Sequence, residues 1–160
     1  MKILILGLGN PLLGDDAVGL EVVRRLRERL PSDPEIVLEE NYNGGLELME
    51  CMEGFDRVVL IDAAVTGASP GTISSFPLHD CPIRRGVYSH GMDLATALAV
   101  GRAAGAHLPA DRHLKILGIE AHDLYDFRLT LSPPVAAAVE AAASWVQQIL
   151  NRWRPVPCLP

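Results

Sequence analysis

Arg57-Val58-Val59-Leu60-Ile61-Asp62 is the stretch on which the fold turns. Its unbroken apolar run, rich in β-branched residues, reads as a strand buried on both faces, because a strand with one wet face alternates polar and apolar side chains. Such a strand needs a layer above and a layer below it. It closes on Asp62, and a carboxylate ending a buried strand is costly unless a partner or cation offsets it.

Working toward the N-terminus, residues 2–7 form a second apolar run that stops at Gly7. Asp15-Asp16 follow, and Val18, Val22, Val23, Leu26 and Leu30 then recur at spacings that line one face of a helix. This is strand, loop, helix. A further strand is predicted over 35–40, leading through Asn41-Tyr42-Asn43-Gly44-Gly45 to a short helix over 46–52. On the other side of Asp62, Thr72-Ile73-Ser74-Ser75-Phe76 alternates polar and apolar, as a less buried edge strand does, and is expected to run antiparallel. Ser89-His90-Gly91-Met92-Asp93 opens an alanine-rich helix carrying Leu94, Leu98 and Gly101. Leu114 to Glu120 is another buried strand. The last helix takes Ser132 as its cap and Pro133 in its first turn, with Val135, Val139, Ala142, Val146, Ile149 and Trp153 along one face.

Strands alternating with helices, without internal repeat or linker, give one α/β domain over residues 1–153, with 154–160 expected as a flexible tail. The architecture is a three-layer α/β/α sandwich around a mainly parallel sheet with one antiparallel strand. In such sheets chemistry gathers where parallel strands end. The loop reaching Asp16 follows the first strand, Asp62 closes the third, and His90 precedes a helix packed on the same sheet, so all three can converge.

Composition narrows the function. With 49% hydrophobic and 21% charged residues the chain has the makings of a core, and a net charge of −6 argues against a nucleic-acid partner, which needs a basic face. No run approaches the ~18 apolar residues of a spanning helix. The opening apolar run is too short for a signal peptide, so a cytoplasmic, membrane-free protein is expected. Cys51, Cys81 and Cys158 are odd in number and never form CxxC, which signals neither a disulfide framework nor a thiolate zinc site.

Gly7-Leu8-Gly9-Asn10-Pro11-Leu12-Leu13-Gly14 sits between a strand and a helix, where nucleotides are often held. The spacing fails for GxGxxG, and Asp15-Asp16 stands where a phosphate loop places Lys and Ser or Thr. One acid there would suffice to cap a helix; the second points to a site. Asp62 has the alternative of capping a turn, and His90 that of stabilising a helix start. Together, two carboxylates and an imidazole form a hard-to-borderline ligand set for a divalent first-row metal, or acid–base groups for a water. Glu120, His122 and Asp123 follow a strand and are candidates to support the site, while Arg24, Arg25, Arg27 and Arg29 read as a solvated helix face.

Taken in order, the residues 7–19 block, Val59-Leu60-Ile61-Asp62-Ala63 and Ser89-His90-Gly91-Met92-Asp93-Leu94 resemble the [NiFe]-hydrogenase maturation endopeptidases. Gly118-Ile119 through Leu131-Ser132-Pro133 resembles the family's closing segment. The resemblance implies an endopeptidase, aspartic-type or metal-assisted, that removes a C-terminal extension from the nickel-loaded precursor of the hydrogenase large subunit. It implies a five-stranded mixed sheet, and it implies that Asp16, Asp62 and His90 contact nickel carried by the substrate and act in catalysis. Ala17 replaces the family's frequent Gly. Asn43-Gly44-Gly45 stands where many members carry Asp-Gly-Gly, a substrate-binding position. The alternative is a nickel-dependent docking factor that binds the precursor without cutting it.

Overall fold

A computed structural model describes residues 1–81 and 93–154. The strands are β1 (Ile3–Leu8), β2 (Ile36–Asn41), β3 (Arg57–Ala64), β4 (Ile73–Phe76) and β5 (Leu114–Glu120); the helices are α1 (Val18–Arg29), α2 (Gly45–Cys51), α3 (Leu94–Ala103) and α4 (Pro133–Trp153). The sheet order is β2-β1-β3-β5-β4. β1 pairs in parallel with β2 and β3, β3 in parallel with β5, and β4 antiparallel with β5. This is the mixed five-stranded sheet expected, with the antiparallel strand at one edge.

Alternation along the strands divides the core into two layers. Ile3, Ile5, Val59 and Ile61 pack with Val18, Val22 and Leu26 of α1 and with Val135, Ala142 and Val146 of α4. Leu4, Leu6, Val58 and Leu60 pack on the other face, with Leu48 and Met49 of α2 and Ala97 and Leu98 of α3. Burial of β3 on both faces is why its sequence shows no alternation. From β1 the chain passes to β2 on one side, and then crosses back over to β3 on the other. The carboxyl ends of β1 and β3 therefore mark the switch point in strand order at which open α/β sheets hold ligands.

Two strand boundaries differ from the sequence reading. β3 does not stop at Asp62: Ala63 and Ala64 stay paired with Ile119 and Glu120 of β5, so Asp62 is an interior residue opposite Gly118. β2 is shifted by one residue, to Ile36–Asn41, because register with β1 sets its ends. The arginines of α1 are also more than a solvated face. Arg24 and Arg27 both bind the Glu40 carboxylate on β2, and Arg25 and Arg29 bind Glu140 on α4.

The decisive packing feature is the closeness of α1 to the sheet. A Cβ at Gly19 would lie 2.3 Å from the Ile61 carbonyl oxygen and 2.4 Å from that of Leu8; one at Gly7 would lie 2.2 Å from the Gly19 oxygen. Backbone cannot yield as a side-chain tip can, so Gly19→Ala is expected to cost about 3 kcal/mol, measured as a lowered urea midpoint. A second test concerns Glu40. Burial pushes its pKa up, but the hydrogen bonds and charges of Arg24 and Arg27 outweigh this and hold it below the ordinary glutamate value. A depressed carboxylate stabilises the fold above its unfolded pKa, about 4.3, and loses that contribution as pH falls through the folded value. Glu40→Gln should therefore lower stability by about 1 kcal/mol at pH 7, both arginines being half in solvent, with the difference fading in acid below pH ~4 when urea midpoints are compared across pH.

Candidate active site

The site is built on the connection leaving β1. Leu8 ends the strand beside Asn41 of β2, and Gly9 donates its amide to the Asn41 carbonyl at 3.2 Å. Asn10 then folds the chain back, its Oδ1 accepting from the Leu12 amide at 3.0 Å. Gly14, at φ +56°, opens a 3-10 turn over Gly14–Ala17 that leads into α1. That turn packs on β3. A Cβ at Gly9 would stand 2.3 Å from the Asp16 carbonyl oxygen, so the glycine is what lets the turn lie down on the strand end.

The adjacent acids have separate tasks. Asp15 is 3% exposed, and its carboxylate accepts from the Ser132 amide at 2.6 Å, the Ser132 hydroxyl at 2.8 Å and the His122 amide at 2.9 Å. Burial alone would raise its pKa, but these hydrogen bonds prevail and hold it below the usual aspartate range. Asp15 is thus an ionised internal tie between the β1 connection, the end of β5 and the start of α4. Ser132 takes the N-cap position of α4 but does not cap it through its side chain, its hydroxyl being turned to Asp15. Asp16 is half-buried, with Oδ2 accepting from the Asn10 amide at 2.9 Å.

Asp62 is 2% exposed, and its Oδ1 accepts from the Ala63 amide at 2.8 Å. Strand alternation places it on the side of Val58 and Leu60, facing the layer of α2 and α3. Asp16 comes from the α1 layer, so the two carboxylates reach the carboxyl edge of the sheet from opposite layers. His90, the third expected ligand, lies outside the described residues. Among the described residues no group of three His, Cys, Asp or Glu side chains forms a metal cage. Asp16 and Asp62 carry carboxylate oxygens, a donor type that divalent cations take, one half-buried and one buried, near the edge where parallel strands end.

Asn43, Gly44 and Gly45 follow β2 on the same edge. Asn43 is exposed and its amide donates to Asn41 Oδ1 at 2.6 Å; the two glycines are buried, and Gly45 opens α2 at φ +61°. Glu120, the last residue of β5, proves to be structural. It is 4% exposed and binds the Thr66 amide at 2.8 Å, the Thr66 hydroxyl at 2.8 Å and the Gly67 amide at 2.9 Å, fixing the connection that follows β3. The His122 side chain is exposed, and Asp123 turns back on the Tyr125 amide. The ties from Asp15 to Ser132 and from Glu120 to Thr66 were missed in the sequence, where no local pattern links positions so far apart.

Removing the Asp15 carboxylate leaves buried donors unpaired, so Asp15→Ala is expected to lower stability by about 3 kcal/mol. Asp16→Asn, at a half-buried position, should leave the thermal midpoint nearly unchanged. Paired unfolding curves of the two variants check this difference.

The sequence profile of the HycI hydrogenase maturation proteases matches residues 20–149. The hydrogenase 2 maturation protease of Escherichia coli K12 is 31% identical over 159 residues, covering 96% of this chain and 92% of that protein. The hydrogenase expression/formation protein HoxM of Azotobacter vinelandii is 30% identical over 144 residues, covering 88% of this chain and 68% of that one. Among solved structures, the hydrogenase maturating endopeptidase HybD from E. coli superposes with a TM-score of 0.81 at 28% identity, over 96% of this chain and 94% of that one. The profile match spans most of the chain and the fold agrees, and the chain belongs to the hydrogenase maturation protease family.

Proposed function

We propose that this protein is an endopeptidase that removes a C-terminal extension from the nickel-loaded precursor of a [NiFe]-hydrogenase large subunit. Family membership over residues 20–149, joined to Asp16 in the turn that follows β1 and Asp62 near the end of the neighbouring parallel strand β3, is the observation that carries this reading. In this reading the nickel is part of the substrate, and Asp16, Asp62 and His90 contact it. An incomplete ligand set in the protease suits that arrangement, since positions stay open for groups of the precursor. Asn43, Gly44 and Gly45 flank the approach, with Gly44 and Gly45 bringing backbone close to the bound chain. The protein acts in the cytoplasm, where the precursor is assembled.

Cleavage adds water across one peptide bond: hydroxide joins the acyl carbon, the C–N bond breaks and the amine leaves with a proton. Asp16, half-buried rather than sealed, is placed to hold or accept a proton of the attacking water. Asp62, almost wholly enclosed, offers a second carboxyl group on the same edge of the sheet. Both an aspartic-type and a metal-assisted route use these groups.

The experiment is incubation with nickel-loaded precursor and with a nickel-free control, following the released C-terminal peptide by mass spectrometry. Release only from the nickel-loaded form, slowed at least about 10²-fold by Asp16→Asn, is the expected result. Nickel-dependent complex formation without any released peptide would replace the protease with a docking factor.

A further inference from the structure

The segment from His122 to Ser132, between β5 and α4, is held in place and yet presents its largest apolar side chains to water. Both of its ends fasten to one carboxylate, that of Asp15: the His122 amide at 2.9 Å, the Ser132 amide at 2.6 Å and the Ser132 hydroxyl at 2.8 Å. Its middle pairs with the connection leaving β1, where the Gly14 amide donates to the Arg128 carbonyl at 2.7 Å and the Arg128 amide donates to the Leu12 carbonyl at 3.1 Å. Asp123 Oδ1 accepts from the Tyr125 amide at 2.8 Å and closes a further turn. On this anchored loop Tyr125 is 90% exposed, Phe127 80% and Leu129 77%, with Leu12 across the pairing at 44%.

Single exposed apolar residues are ordinary, but several large ones on one short loop mark an interaction surface. Tyr and Phe on a pre-shaped loop supply contact area at small entropic cost, as interface anchors do. We propose that Tyr125, Phe127, Leu129 and Leu12 form the docking surface for the precursor polypeptide, beside the bond that is cut. This rests on the protease reading above. The occupant follows from continuity: the paired residues Leu12 and Gly14 lie four and two positions before Asp16, so a chain delivered to Asp16 passes this rim. Asp123 and Asp126 sit among the apolar side chains, with Arg128 4.0 Å from the Asp126 carboxylate and offsetting its charge. The segment that docks is therefore apolar in character.

The test compares the full chain with the triple variant Y125S/F127S/L129S on nickel-loaded precursor. Cleavage kinetics are measured alongside affinity for the immobilised precursor. KM and Kd should both rise about tenfold or more, with kcat and thermal midpoint unchanged; Val100→Ser, an exposed apolar position on α3, should alter neither constant. Tyr125→Ser alone repeats the readout at the most exposed position, where folding has least to lose. Unchanged KM and Kd would overturn the proposal, and so would a fall in kcat alone. If the unaltered chain binds the precursor but releases no peptide, the protease reading fails while the Kd ratio still decides the docking surface. If it does not bind at all, both fail.

Discussion

The contact of α1 with β1 and β3, backbone against backbone through Gly7, Gly9 and Gly19, is the constraint on which the rest of the molecule depends. A Cβ at any of the three would come within 2.2–2.3 Å of a carbonyl oxygen of the facing segment. Only without those carbons can the helix start and the turn before it settle onto the strand ends. The same closeness brings Asp16 to the carboxyl edge where Asp62 stands. Placement of the site is thus a consequence of packing: if the helix were lifted by one methyl layer, the acidic turn would leave the edge with it.

Around that contact, two buried carboxylates act as internal ties. Asp15 joins the β1 connection to the start of α4 and the end of β5, and Glu120 joins β5 to the connection after β3. Each is almost wholly buried and accepts hydrogen bonds from backbone amides and a hydroxyl, which offset the cost of burying it. The effect on function is indirect. Loops that would otherwise be mobile are shaped by these ties, and the site is assembled from loops. Asp62 is buried in the same strand system, while Asp16 keeps partial contact with solvent.

Much of the fold was legible before the structure. β3 and β5 announced themselves as continuous apolar runs, α1 and α4 through helical spacing, and β4 through its alternation at an antiparallel edge. The errors are instructive. Asp62 looked like a strand terminus because the apolar run stops there, but small Ala63 and Ala64 continue the ladder, and pairing with β5 rather than hydrophobicity sets the end. Ser132 has the composition and position of a helix cap, yet its hydroxyl binds Asp15, because satisfying a buried carboxylate outweighs satisfying a helix end that water can reach.

By itself the sequence determined the α/β architecture, the ordered motifs that resemble the maturation proteases and the candidacy of Asp16 and Asp62. Those properties are local: periodicity, β-branching, a glycine beside a turn, an acid after an apolar run. Only the tertiary structure decided which of the twin acids is internal and which borders solvent, what Glu120 holds, and that Tyr125, Phe127 and Leu129 stand exposed on an anchored loop. Each of these depends on partners more than fifty residues away in the chain, as in the pairing of Asp15 with Ser132. Hydrogen bonds over such separations are set by how layers stack, and no spacing rule along the chain encodes them.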